Sequence, residues 1–263
     1  MAEIDRLEQL ARRAEQLRAL HRGPEPLVLP NAWDAASARI VVEAGFPVVA
    51  TTSSGVSASL GWADGEQTPA DEMFAAIARI ARVIEVPLTV DIEAGYGLAP
   101  AQVVERMIAS GAVGCNLEDT DHAAGKTLRD PRRQAAFLSA VREAAAAAGV
   151  KVVINARVDV FLRTTAGAPS PIEEAIRRGR MYLEAGADCV FPIGVTDEPT
   201  IAALVDGIPG PTNQIASFHG GPGVARMRAL GVRRISFAGG MHRTAYEGLR
   251  TRVAAVARGE DGD

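Results

Sequence analysis

Cysteine is scarce. Two occur in 263 residues, Cys115 and Cys189, each inside an apolar run. That excludes a disulfide framework and makes both reduced, buried small hydrophobes. No His/Cys spacing suits zinc. No apolar run is long enough to span a bilayer, and Met1-Ala2-Glu3-Ile4-Asp5 does not read as a signal peptide. A cytoplasmic protein without a membrane partner is expected. Basic runs are missing too. Lys and Arg number 28 against 32 Asp and Glu, a net charge of −4, so nucleic acid is not an expected partner. No Gly-x-Gly-x-x-Gly follows the first apolar strand, which removes the main support for an open dinucleotide-binding sheet. No linker or composition shift divides the chain. It is 48% hydrophobic and 23% charged, enough to bury a large core over 1–263 as one domain.

What is present is an alternation. Ile4, Leu7, Leu10, Ala14, Leu17 and Leu20 recur at helical spacing, an amphipathic N-terminal helix closed by Gly23-Pro24. Strands are then expected at 27–30, 47–51, 86–90, 113–118, 151–157, 188–192, 212–216 and 233–237. Helices are expected between them, Asp34 capping the first and Thr244 opening the last, over 244–257. Ser53 to Thr68 and Asp119 to Asp130 read as loops, as does the stretch with Gly167, Pro169 and Pro171. Eight strand–helix units in this length predict an α/β fold, a (β/α)8 TIM-type barrel with a leading helix.

In such barrels chemistry sits at the C-terminal strand ends. The most informative end is Val90-Asp91-Ile92-Glu93-Ala94-Gly95-Tyr96-Gly97. On an extended chain Asp91 and Glu93 point the same way, and paired carboxylates are cheapest to keep around a hard cation such as Mg²⁺. The other ends supply Asn31, Trp33 and Asp34; the Ser53-Ser54-Gly55-Val56 turn; Asn116 and Glu118; Asn155, Arg157 and Asp159; and Asn213. Three carboxylates, one arginine and small polar groups make a metal site beside an anion site. Quieter readings stand next to these. Asp159 can simply pair with Arg157, Asn116 and Asn155 can satisfy buried backbone, and Trp33 can be packing. His122, His219 and His242 are placed in loops.

Five of these segments, in order, resemble the isocitrate lyase/phosphoenolpyruvate mutase superfamily over roughly residues 27–240. Pro30-Asn31-Ala32-Trp33-Asp34-Ala35-Ala36-Ser37-Ala38 is similar to its opening motif. Thr52 to Gly61 is similar to its Ser-Gly substrate loop. Asp91 to Gly97 resembles Asp-x-Asp-x-Gly-Tyr-Gly, Asn116-Leu117-Glu118-Asp119 resembles Ile-x-x-Glu-Asp, and Asn155 to Asp159 resembles Ala-Arg-Thr/Val-Asp. The resemblance implies a Mg²⁺ enzyme, with Mn²⁺ as a substitute, acting on a small α-oxo or α-hydroxy carboxylate. It implies Asp91 as direct ligand, Glu93, Glu118 and Asp64 around the metal's waters, and Ser54, Gly55, Val56 and Arg157 around the substrate; Trp33, Asn155 and Asn213, read from the strand ends, are further candidate substrate contacts. It implies a homodimer or homotetramer paired through the last helix, 241–258.

The sequence also departs from that pattern. The Cys-bearing gate loop of the lyases is replaced by Asp119-Thr120-Asp121-His122-Ala123-Ala124-Gly125-Lys126, and the lysine of phosphonate-handling members is Thr120. His122 and Asp121 are the candidate proton carriers. The expected activity is C–C cleavage through an enolate. A P–C bond enzyme, or a barrel that binds an oxo acid without turnover, are the alternatives.

Overall fold

The structure, a computed structural model, describes residues 2–163, 170–218 and 220–260. Gly167, Pro169 and His219 lie outside these described residues. The order runs α1 (Ala2–His21), β1 (Leu27–Leu29), β2 (Asn31–Ala32), α2 (Ala35–Glu43), β3 (Val49–Thr51), α3 (Ser53–Leu60), α4 (Ala70–Ala81) and β4 (Leu88–Asp91). It continues with α5 (Pro100–Ser110), β5 (Gly114–Glu118), β6 (Thr120–Asp121), β7 (Thr127–Leu128), α6 (Pro131–Ala147), β8 (Val153–Val158) and α7 (Val160–Arg163). It closes with α8 (Pro171–Glu184), β9 (Cys189–Pro192), α9 (Glu198–Gly207), β10 (Asn213–Ile215), α10 (Val224–Ala229), β11 (Arg234–Ser236) and α11 (Gly240–Ala257).

The strands stand in the cyclic order of a (β/α)8 barrel. β2, β3, β4, β5, β8 and β9 form one parallel ladder, and β10, β11 and β1 another. Two seams join them. β1 and β2 are one chain path interrupted at Pro30, which has no amide hydrogen to give. A parallel bridge from Val190 to Thr212, with Val190 N donating to Pro211 O at 3.0 Å, links β9 to β10. Apolar strand residues such as Leu29, Val49, Val90, Ile154 and Ile235 are fully buried, and the helices pack outside them. Cys115 and Cys189 are both free and buried, and burial pushes each thiol up to about 12. No helix among the described residues is long and apolar enough to cross a membrane.

α1 closes the N-terminal end of the barrel. Leu10, Ala14 and Leu17 are buried. Leu17 sits so close to Gly114 that a Cβ there would lie 2.7 Å from its Cδ2. Arg18 spans Asp188 at 2.8 Å and Lys151 O at 2.6 Å. His21 Nδ1 lies 2.8 Å from Leu17 O, and its Nε2 lies 3.3 Å from Nη1 of the buried Arg234.

Four segments differ from the sequence reading. The expected loop from Ser53 begins as α3, whose Ser53, Gly55, Val56 and Ser57 are buried. Glycine and serine are poor helix formers, so packing overrides propensity here. Gly61 stops the helix at φ 86, in the left-handed region where a Cβ is costly. The expected loop from Asp119 folds into the β6–β7 antiparallel hairpin. α7 follows β8 directly. α11 starts at Gly240 rather than Thr244, so His242 is helical and not in a loop.

α11 has no fully buried residue, and Leu249, Val253 and Val256 are 55%, 59% and 69% exposed. An apolar cavity of about 560 Å³ lies between α2 and α11, lined by Val28, Ile40, Phe46, Phe218, Phe237 and Met241 among others.

Candidate active site

The register stacks the mouth in two rows. Asp91, Asn116 and Asn155 lie level on β4, β5 and β8. Glu118, Arg157 and Phe191 lie level two residues further along β5, β8 and β9. The lower row is a polar floor. Asn155 Nδ2 donates to Asn116 Oδ1 at 2.8 Å, and Arg234 Nη2 reaches the same oxygen at 3.2 Å. Asn155 Oδ1 is buried without a hydrogen-bond partner. Asp91 is 9% exposed and accepts from Ser53 Oγ at 3.0 Å.

Asp91 and Glu93 do not share an extended face. The strand ends at Asp91, and Glu93 sits at φ 51 in the left-handed region. Strain of this kind at a non-glycine residue collects where a side chain must be aimed. The turn still brings the Glu93 carboxylate inward. Its Oε1 accepts from the Tyr96 hydroxyl at 2.9 Å and its Oε2 from Glu66 N at 2.6 Å. Glu66 in turn accepts from Tyr96 N at 2.5 Å.

Glu118 is 1% exposed. Arg157 Nη1 is 2.6 Å from its Oε2, an ion pair without hydrogen-bond alignment. His122 Nε2 is 2.6 Å from Glu118 Oε1 and 4.0 Å from Glu93 Oε2. Arg157 also grips Asp159, through Nε at 2.6 Å and Nη2 at 3.1 Å. The Arg157–Asp159 pairing legible in the sequence is therefore present. Asp159 further accepts from Thr120 Oγ1 at 2.5 Å.

Charge is unbalanced here. Burial, then Asp64 and Asp91, push the Glu93 carboxyl up to about 8. Burial raises Glu118, against the opposing pull of Arg157 and the His122 hydrogen bond. Asp64 stands at the rim with part of its surface exposed, and its carboxyl is raised by the protein packed around it and by Asp91. Burial would lower His122, but Glu118 outweighs it and the imidazole is raised. Carboxylates that resist ionisation in one place fit a cation between them. Glu93, Glu118 and His122 each present one ligand atom, all within 4.8 Å of one another. The residues fit a divalent metal.

The remaining sequence-predicted residues split into two groups. Ser54, Gly55 and Val56 form the first turn of α3, a helix N-terminus rather than an open turn, and such ends suit anions. A Cβ on Gly55 would lie 3.0 Å from Trp33 Cβ and 3.4 Å from His242 Cβ. Trp33 packs edge-on to His242, ring centroids 5.1 Å apart. Asn213 is buried and exchanges hydrogen bonds at 3.3 Å with Ser236. Asp121 Oδ1 accepts from Ala124 N at 3.0 Å inside the hairpin turn, which occupies it structurally. Sequence reasoning gave no role to Tyr96, although it stands in the Asp91 motif. It missed Glu66 altogether, whose only sign is a position beside Gly65.

A parallel barrel with carboxylates, an arginine and a helix N-terminus at one mouth defines a (β/α)8 enzyme of the isocitrate lyase/phosphoenolpyruvate mutase superfamily. Within it the chain belongs to the phosphoenolpyruvate phosphomutase family, whose model matches residues 17–257. A putative phosphonomutase from Burkholderia cenocepacia superposes with TM-score 0.85 at 39% identity, over 92% of this chain and 99% of that one. Oxaloacetate acetylhydrolase superposes with TM-score 0.84 at 27% identity, over 94% of this chain and 86% of that one. The 2-methylisocitrate lyase of Bacillus subtilis is 29% identical over 206 residues, 75% of this chain and 65% of the lyase's length.

Proposed function

We propose that this chain is a divalent-metal-dependent enzyme, served by Mg²⁺ or Mn²⁺, that cleaves a C–C bond in a small α-oxo or α-hydroxy (di)carboxylate. The observation that carries this is the Glu93–Glu118–His122 cluster beside Arg157. Asp91, Glu93 and Glu118 hold the metal, directly or through its waters. When bound, the cation supplies charge to an enolate oxygen.

The chain's own groups do the rest. Arg157 donates two N–H groups to Asp159 and commits a third to the Glu118 ion pair. A guanidinium has five, so two remain for a substrate carboxylate. The first turn of α3, with Ser54, Gly55 and Val56, receives the other end of the substrate. Asp64 at the rim orders water at the metal. Trp33 holds Gly55 in place, while Asn155 and Asn213 belong to the walls beneath. The β6–β7 hairpin excludes water from above.

Cleavage at a P–C bond is the weaker alternative. Thr120, standing where phosphonate-handling members carry lysine, is fully buried and donates its hydroxyl to Asp159. The test is a panel of oxo-dicarboxylates, 2-alkylmalates and phosphonopyruvate with Mg²⁺, reading oxalate, glyoxylate, pyruvate and phosphate. Metal-dependent release of a carboxylate product is expected. Phosphate release alone would overturn the C–C reading.

The working form is proposed as a cytoplasmic homodimer or homotetramer. Its motive is the uncovered α11 and the apolar cavity at that helix.

A further inference from the structure

We propose that His122 is an imidazole ligand carried to the metal by the β6–β7 hairpin, and that it tilts the site toward Mn²⁺-class cations and away from Mg²⁺. This rests on the metal-dependent reading above, and adds to it a ligand that no barrel strand supplies.

Three observations converge on His122. Its side chain is only 7% exposed although it sits at a hairpin turn, a place where side chains usually face water. Its inward ring nitrogen faces two carboxylates and its other nitrogen, Nδ1, is buried with no hydrogen-bond partner. Its separations also suit ligation. Metal–oxygen and metal–nitrogen bonds of about 2.1 Å put neighbouring octahedral ligand atoms roughly 3 Å apart and opposite ones roughly 4.2 Å apart. Nε2 stands 2.6 Å from Glu118 Oε1 and 4.0 Å from Glu93 Oε2, so a shift of a few tenths of an ångström admits a cation.

The chemistry then fixes the preference. Mg²⁺ is a hard ion that favours oxygen and keeps its waters, whereas affinity for a nitrogen-bearing site rises along the divalent series from Mn²⁺ through Co²⁺. The same lone pair cannot hold a metal and carry a proton. Ligation therefore replaces the proton-carrying role that the sequence suggested for His122. It also ties the hairpin to occupancy. Lys126 in the same turn lies against Gly65, where a Cβ would be 3.0 Å from Nζ, so metal binding would press the hairpin onto the α3–α4 connection.

The experiment compares the metal-stripped wild type with His122→Gln and His122→Asn. Glutamine keeps a hydrogen-bond donor for Glu118 and removes the ring nitrogen. Mn²⁺ binding is followed by the paramagnetic resonance of free Mn²⁺, Mg²⁺ by competition, and Co²⁺ by its visible spectrum. Tryptic cleavage after Lys126 reports on the hairpin. In His122→Gln, Mn²⁺ affinity should fall about tenfold or more while Mg²⁺ changes by less than about twofold. The Co²⁺ spectrum should change, and Mn²⁺ should no longer slow cleavage. Equal losses for both ions, or an unaltered Co²⁺ spectrum in folded variants, overturn the ligand role and leave the metal site standing. Failure of the wild type to bind any of the three ions overturns the metal-dependent reading itself.

Discussion

Replacing Arg157 separates its two duties. Its side chain is 13% exposed, and its guanidinium holds Asp159 at 2.6 and 3.1 Å and Glu118 at 2.6 Å. Lysine keeps the charge but has a single point of contact and cannot hold both carboxylates. One charge-assisted contact is lost, about 1.5–3 kcal/mol. Alanine leaves two buried carboxylates without a cation, about 3–5 kcal/mol. For a chain of this size each kcal/mol moves Tm by roughly 2–4 °C. Without metal, Arg157→Lys should melt about 3–12 °C lower and Arg157→Ala lower still. Oxalate titrated with Mg²⁺ present should bind Arg157→Lys roughly tenfold to a hundredfold more weakly than wild type, if one of the two spare N–H groups serves the ligand. Calorimetry reads the affinity and differential scanning the stability. Equal oxalate affinity with a lowered Tm would show that Arg157 only braces Glu118 and Asp159. Unchanged Tm in Arg157→Ala would refute the ion-pair reasoning as well.

Mg²⁺ or Mn²⁺ should stabilise the wild type by about 2.7 kcal/mol at a hundred times the dissociation constant, seen as a higher Tm. Asp91→Ala should lose that gain, and an equal gain in the variant would remove Asp91 from the site. Burial, with Arg234 next, lowers the His21 imidazole from 6.5 to about 4, so the folded protein keeps it neutral. Between those values the unfolded chain binds a proton that the fold refuses, so stability falls as pH drops from 6.5 to 4, by up to about 3 kcal/mol. Urea unfolding of His21→Gln should show a shallower acid loss than the wild type; parallel curves would clear His21 of the effect. Sedimentation at micromolar concentration should give a multiple of 27.6 kDa, and Val253→Asp should lower it. A wild type that runs as a monomer would sink the pairing through α11.

The barrel was legible because its periodicity is simple. Each strand is a short apolar run, and joints such as Glu43-Ala44-Gly45 and Glu184-Ala185-Gly186 mark helix ends. The mouth was legible because Asp91, Glu118 and Arg157 end apolar strands, where charge is out of place. Three features were hidden. α3 carries four serines and a glycine among eight residues, which read as loop until tertiary packing chooses helix. The left-handed turn at Glu93 is set by contacts with Glu66 and Tyr96 rather than by local preference. The approach of His122 to Glu118 depends on the pairing of Thr120 with Leu128 and of Asp121 with Thr127 across the hairpin. Nothing in the spacing of a single histidine announces that fold-back.

The plug made by α1 bears on how the chain comes off the ribosome. This helix leaves the ribosome before the rest of the barrel, yet the groups it docks onto come from far along the chain. Arg6 reaches Ile108 O, Leu17 needs Gly114, Arg18 needs Asp188, and His21 needs Arg234. Its apolar face must therefore wait through most of translation, at a rate of roughly 5–20 residues per second. Contacts of such sequence separation are slow to close. During that interval Leu10, Ala14 and Leu17 are free to meet other nascent chains. A barrel whose bottom is sealed by the helix preceding its strands is thus exposed to misassembly early and protected late, and a chaperone that covers α1 would act on an element that cannot finish folding until the last strands emerge.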